Sequence, residues 1–254
     1  MLEDHLRARL RERDILLMTH IVLGYPSFDD SRRAVEAMVE AGVDLMELQI
    51  PFSEPIADGP VILHANQRSL AAGATVEGCL RFAEEVASRF DIPFLVMSYF
   101  NILYRFGLSD FTRTLASAGL QGAIVPDLPP EEAGDYLSAM RDAQLDPVFI
   151  YSPNTSDPRM REIARVAGGF VYCVARKGVT GADTDFSASL DAYLTRCRAA
   201  TSLPLALGFG VKQRADVESL RGKADIAVVG TETIRVMDER GVGAVGDFIA
   251  SLRA

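Results

Sequence analysis

Short, continuously apolar runs alternate along this chain with longer segments whose apolar residues recur every three or four positions. A strand buried on both faces reads as an unbroken aliphatic run, whereas a helix with one covered face shows the longer period. Their alternation predicts βα units and a parallel sheet. Eight runs qualify as strands: Leu16–Val22, Asp44–Ile50, Phe94–Ser98, Gly122–Val125, Pro147–Tyr151, Phe170–Ala175, Leu203–Leu207 and Asp225–Val229. Helices are expected over Ser27–Gly42, Thr75–Ser88, Ser109–Ala118, Glu131–Ala143, Pro158–Val166, Ser187–Ala199, Lys212–Leu220 and Val242–Leu252. In Ser27–Gly42, Ser27 or Asp29 can cap the start, Val35, Met38 and Val39 share a face, and Gly42 sits where a helix stops. Pro129–Pro130 followed by Glu131–Glu132 reads as another helix start, with acids at the positive dipole end. Leu2–Arg13 predicts a further N-terminal helix outside the repeat. Eight strands with interleaved helices favour a closed (β/α)8 TIM barrel over a doubly wound open sheet.

The 254 residues match the roughly 250 typical of one such barrel, and no linker or low-complexity tract interrupts them, so one domain over 1–254 is expected. A net charge of -9 with no basic stripe argues against nucleic acid. Cys79, Cys173 and Cys197 are odd in number and widely spaced, and His5, His20 and His64 do not cluster with them. No disulfide framework and no metal site are expected, and a reducing compartment, the cytoplasm, is the default. No run of about 18 apolar residues exists and Met1 to Asp14 lacks a signal-peptide core, so no membrane association is expected.

Barrel active sites lie at the C-terminal ends of the strands, which is where candidate chemistry is sought. Glu47 falls inside the otherwise apolar second strand. Read alone, it is either a salt-bridged or surface carboxylate, or one whose pKa is raised by a dry barrel mouth and suited to acid–base work. Beyond it, Pro51, Pro55, Gly59 and Pro60 hold a loop that carries Asp58, which alone reads as turn chemistry. Arg176-Lys177-Gly178-Val179-Thr180-Gly181 after strand 6 suits a loop closing over an anion, or an ordinary surface loop. Gly208-Phe209-Gly210 follows strand 7, and Gly230-Thr231-Glu232 follows strand 8 and opens a short helix near Thr231–Val236. Two glycine loops at those two strand ends, with a short extra helix, predict a phosphate site.

The run Glu47–Pro60, Glu-Leu-Gln-Ile-Pro-Phe-Ser-Glu-Pro-Ile-Ala-Asp-Gly-Pro, closely resembles the signature of tryptophan synthase alpha subunits. Leu23-Gly24-Tyr25-Pro26, Ala41-Gly42-Val43-Asp44, Met97-Ser98-Tyr99-Phe100-Asn101, Pro126-Asp127-Leu128-Pro129 and the glycine loops agree along nearly the whole chain. The resemblance implies cofactor-free retro-aldol cleavage of indole-3-glycerol phosphate to indole and glyceraldehyde 3-phosphate, in tryptophan biosynthesis. It implies Glu47 as the catalytic glutamate and Asp58 as acceptor of the indole N–H bond. Tyr172 would lie near that glutamate, Tyr99 and Phe209 would line the indole pocket, and Thr180 would help Asp58 hold a closed state. Gly181, Gly210, Gly230 and Thr231 would bind phosphate. The implied partner is the pyridoxal-phosphate-dependent beta subunit, in an alpha2beta2 tetramer, met by the strand-2 loop and the Lys177 region. Four positions depart from the family's pattern: His20 stands for an apolar aromatic, Gln49 for a glycine, Glu54 for an aspartate and Thr231 for a serine. Alternatives are a Schiff-base barrel aldolase using Lys177, a weakened alpha-like paralogue serving as allosteric module for a beta subunit, and a lyase acting alone.

Overall fold

The computed structural model describes residues 1–175, 183–208 and 210–253, with residues 183–188 described by backbone alone. Eight parallel strands close into a barrel in sequential order, the last pairing with the first. They are β1 (Leu16–Val22), β2 (Leu45–Gln49), β3 (Phe94–Met97), β4 (Gly122–Ile124), β5 (Asp146–Tyr151), β6 (Val171–Val174), β7 (Leu205–Gly208) and β8 (Ile226–Val229). The open-sheet alternative is thereby excluded.

Around them run α1 (Leu2–Arg9), α2 (Phe28–Glu40), α3 (Pro60–Ala71), α4 (Val76–Arg89), α5 (Phe100–Phe106) and α6 (Leu108–Ser117). The second half carries α7 (Gly134–Asp142), α8 (Asp157–Ala164), α9 (Asp183–Ala200), α10 (Arg214–Glu218), α11 (Thr231–Arg240) and α12 (Val245–Leu252). Ser27 caps α2 by accepting the Asp30 N–H at 3.0 Å. Pro129 and Pro130 introduce a 3-10 turn, Pro130–Glu132, ahead of α7.

Three expectations need correcting. The helix after β8 is not short: it runs ten residues to Gly241, whose positive φ of 81° ends it, and the expected Val242–Leu252 helix divides into a 3-10 turn and α12. The N-terminal helix stops at Arg9, four residues early. Helices α3 and α5 were not expected at all. The hidden side of α3 is mixed: Ala65 packs with Val22, Tyr25 and Ile234, but Asn66 and Ser69 are buried beside it to tie down loops, and Ser69 donates to the Leu23 carbonyl at 2.6 Å. Two buried polar positions break the apolar period of 3.6.

Alternation along each strand divides the core in two. Leu17 and Ile21 of β1, Met46 and Leu48 of β2, and Phe94 and Val96 of β3 pack outward under the helices. Leu16, Met18, Leu45, Leu95, Ile124, Val148, Phe170, Ala206 and Ile226 fill the barrel itself, and Leu2 and Leu6 of α1 join them from below. The same end is tied by Asp146, which accepts the Leu2 N–H at 3.0 Å.

Candidate active site

Because Leu45 points into the barrel and Met46 and Leu48 point out, Glu47 and Gln49 are inward residues at the C-terminal end of β2. By the same parity His20 is inward in β1, and register sets it beside Glu47. Tyr172 of β6 and Tyr99, the residue before α5, belong to the barrel-filling cluster. The mouth thus exchanges the aliphatic filling of the lower layers for His, Glu, Gln and Tyr.

Glu47 is 4% exposed and its Oε2 has no hydrogen-bond partner among the described residues. Burial pushes its pKa from 4.5 to about 7; positive charge on His20 would oppose the rise, and the negative charge of Asp58 adds to it. A carboxyl so placed carries a proton near neutrality and can give it up. Asp58 lies on the loop between β2 and α3. Burial raises it too, but hydrogen bonds from Gln49 and Tyr99 favour its ionised form. Two carboxyl groups with such different surroundings divide into acid and anion.

The loop is drawn inward by specific bonds. Ala57 N–H donates to the Tyr99 hydroxyl at 3.1 Å, and the Tyr99 ring stacks on Phe52 with centroids 5.1 Å apart. Phe52 N–H donates to Asn66 Oδ1 at 2.8 Å. Asn66 was not anticipated as a site residue; the proline at the first position of α3 was the signal that a helix begins there. Gln49 Nε2 donates to Asp58 Oδ2 at 2.7 Å, and Gln49 Oε1 meets His20 Nε2 at 2.7 Å. The Tyr172 phenol is raised well above its ordinary value, by burial first and then by the charges of Glu47 and Asp58.

Across the mouth, a Cβ on Gly208 would lie 3.0 Å from the Tyr172 ring, so this strand end has to be glycine for the tyrosine to sit there. Gly210 holds a φ of +88°, which favours glycine. A Cβ on Gly230 would lie 3.5 Å from His20 Nδ1, which places the β8 end against the β1 histidine. Thr231 is the first residue of α11; the Gly230 carbonyl accepts from Thr233 N–H at 3.0 Å, which leaves the Thr231 and Glu232 N–H groups at the positive end of the helix dipole. The carboxyls, both tyrosines, Gly230 and Thr231 therefore share one rim. Thr180, Gly181, Phe209 and Lys177 lie outside the described residues.

A separate hollow of about 500 Å³ lies between α4 and α6, lined by Leu80, Arg81, Phe106 and Arg113, on the outer surface away from the carboxyls. Among the described residues, no group of three or more His, Cys, Asp or Glu side chains is arranged to hold a metal ion, and no helix is long and apolar enough to cross a membrane.

Comparison with known proteins agrees on one family. The family model "Tryptophan synthase alpha chain" matches residues 6–246. The tryptophan synthase alpha chain of Syntrophotalea carbinolica is 64% identical over 253 residues, covering 100% of both chains. Among solved structures, Mycobacterium tuberculosis tryptophan synthase superposes with a TM-score of 0.91 at 32% identity, covering 99% of this chain and 96% of the other. A chain of the Pyrococcus furiosus tryptophan synthase complex gives 0.85 at 28% identity, covering 93% and 97%.

Proposed function

This chain belongs to the tryptophan synthase alpha chain family, the lyases that cleave indole-3-glycerol phosphate, and we propose that Glu47 and Asp58 perform that cleavage. The observation that carries the assignment is the pair itself: an inward carboxyl with a bare oxygen and a pKa of about 7, beside a carboxylate held by hydrogen bonds.

In the proposed sequence, protonated Glu47 delivers its proton to indole C3. The ring becomes an iminium-like electron sink, and Asp58 stabilises it by accepting the ring N–H bond. The glycerol hydroxyl loses its proton to the Glu47 carboxylate, its oxygen forms the aldehyde C=O, and the carbon–carbon bond breaks. Those bonding electrons restore the neutral indole, glyceraldehyde 3-phosphate leaves, and Glu47 is protonated again. Neither a Schiff base nor a cofactor is required, because the substrate's own ring accepts the electrons. Tyr172, Tyr99 and Phe209 surround the ring in this reading. The amides of Gly181, Gly210, Gly230 and Thr231, with the Thr231 hydroxyl, hold the phosphate, and Thr180 supports Asp58 in the closed state.

One barrel domain over residues 1–254 carries the reaction in the cytoplasm. The partner is a tryptophan synthase beta subunit in an alpha2beta2 assembly, docked on the loop after β2 and the Lys177 region. Indole release from indole-3-glycerol phosphate tests the reading, measured for the chain alone and with a beta subunit. The expected result is turnover that rises on adding the partner. No indole in either condition refutes the lyase assignment, and equal rates refute the partnership.

A further inference from the structure

We propose that His20 and Gln49 act together as a positioning pair that fixes the Asp58 carboxylate, an inference that rests on the role given to Asp58 above. Asp58 sits in a loop without regular structure, where a short acidic side chain has rotational freedom. Gln49 restrains it together with Tyr99: Gln49 Nε2 donates to Asp58 Oδ2 at 2.7 Å, and the Tyr99 hydroxyl is a second side-chain donor. A carboxylate only accepts, so the NH2 end of the amide has to face Asp58 and the carbonyl end has to face His20. His20 Nε2 lies 2.7 Å from that carbonyl oxygen, and only a ring protonated at Nε2 can satisfy it. The orientation of each group is thus dictated by its neighbour, in a chain that begins on β1 and ends at Asp58.

Three further observations fit this order. His20 Nδ1 is buried without a partner among the described residues, which fits a ring whose bonded proton sits on Nε2. Gln49 is fully buried, and its remaining donor capacity faces Asn66 Oδ1 at 3.4 Å, so the amide cannot turn without losing bonds on two sides. Below this level the inward positions of the same two strands are Met18 and Leu45. Buried polar groups in a layer that aliphatic side chains could fill carry a desolvation cost, which a role in holding Asp58 accounts for. Both members sit on hydrogen-bonded strands, a more rigid base than the loop they restrain.

The test is a mutant cycle on the full-length chain, read as kcat, KM and the pH dependence of kcat/KM. Gln49→Met should lower kcat by about 10- to 100-fold, the scale for a hydrogen bond to a charged group, with KM within about twofold. The acidic limb should move to higher pH, because ionised Asp58 loses a donor while Glu47, His20, Tyr99 and Tyr172 still face it. His20→Met should lower kcat about fivefold alone and add little to Gln49→Met. His20→Gln, whose amide can donate from near the Nε2 position, should recover most of the loss. Multiplicative effects of the two Met variants, an unmoved acidic limb, or His20→Gln as impaired as His20→Met would each overturn the pair. Asp58→Asn separates the two levels: near-normal turnover there sinks the role of Asp58 itself, whereas an inactive Asp58→Asn beside a fully active Gln49→Met sinks only the positioning. Should the Met variants fail to fold, nitrogen NMR of the wild-type imidazole decides, with an Nε2-protonated ring expected and an Nδ1-protonated ring fatal to the proposal.

Discussion

Asp44, the residue before β2, and Glu47, three residues on within it, are both buried, but their partners differ. Asp44, at the lower end of β2, accepts the Leu17 N–H at 2.9 Å and is surrounded by Arg253 at 2.7 Å and by Arg9 and Arg13 at 3.3 Å each. Glu47, at the upper end, has one oxygen with no hydrogen-bond partner among the described residues. Burial raises the lower carboxyl as well, but the Leu17 N–H and the Arg13 and Arg9 guanidinium groups oppose that rise, and its bonds tie α1, the strand and Arg253 together. The upper one is left short of partners, which makes its proton available. A barrel can therefore keep stability at one rim and reactivity at the other within a single strand.

Exchanging what each carboxyl does should show in different assays. Glu47→Gln keeps shape and burial while removing the proton, and turnover should fall by about 10²–10⁴-fold with a normal circular dichroism spectrum. Near-normal turnover would dissolve the contrast at its functional end. Asp44→Ala should act in reverse. It strips one anion from three guanidinium groups and should reduce unfolding free energy by about 3 kcal/mol, the low end for a buried pair because the arginines stay partly hydrated. The folded fraction should keep its kcat; a stability loss under 1 kcal/mol in denaturant titrations would contradict the bracing role.

The pH dependence of stability sharpens the contrast further. Glu47 is raised in the folded chain, from 4.5 to about 7, so above pH 4.5 the folded state binds more protons than the unfolded one. Its contribution to stability is therefore highest below pH 4.5 and declines as pH rises to about 7, by about 3 kcal/mol in all. Glu47→Gln should flatten that decline, making the variant the more stable protein at pH 8. Parallel curves for variant and wild type in thermal melts would show that Glu47 is not proton-bound in the native state. The smallest change expected is at the far rim: Thr231→Val should raise KM about five- to tenfold through a lost hydroxyl contact, with kcat little altered. An unchanged KM would remove Thr231 from the phosphate site.

Much of this architecture was legible from period alone. All eight strands fall where the apolar runs lie, β1 at both of its ends, because parallel barrel strands are covered on both faces and cannot disguise themselves. Helix α3 is hard to read because its buried side mixes Ala65, in a small apolar cluster, with Asn66 and Ser69, which serve loops. In the site, Glu47 and the glycine strand ends could be found by position along the barrel order. The bond between His20 and Gln49 could not, since the two are 29 residues apart and read as unrelated departures from the family pattern. Only the β1–β2 register brings them within reach.

Helix α1 has an effect well beyond its own contacts. Leu2 and Leu6 extend the aliphatic filling of the barrel past its base, adding to the apolar layers beneath Glu47. Water entering from beneath would lower the Glu47 pKa, so an amphipathic helix at the opposite pole works as electrical insulation for the reacting carboxyl, and loosening it would leave less of that carboxyl protonated near neutrality.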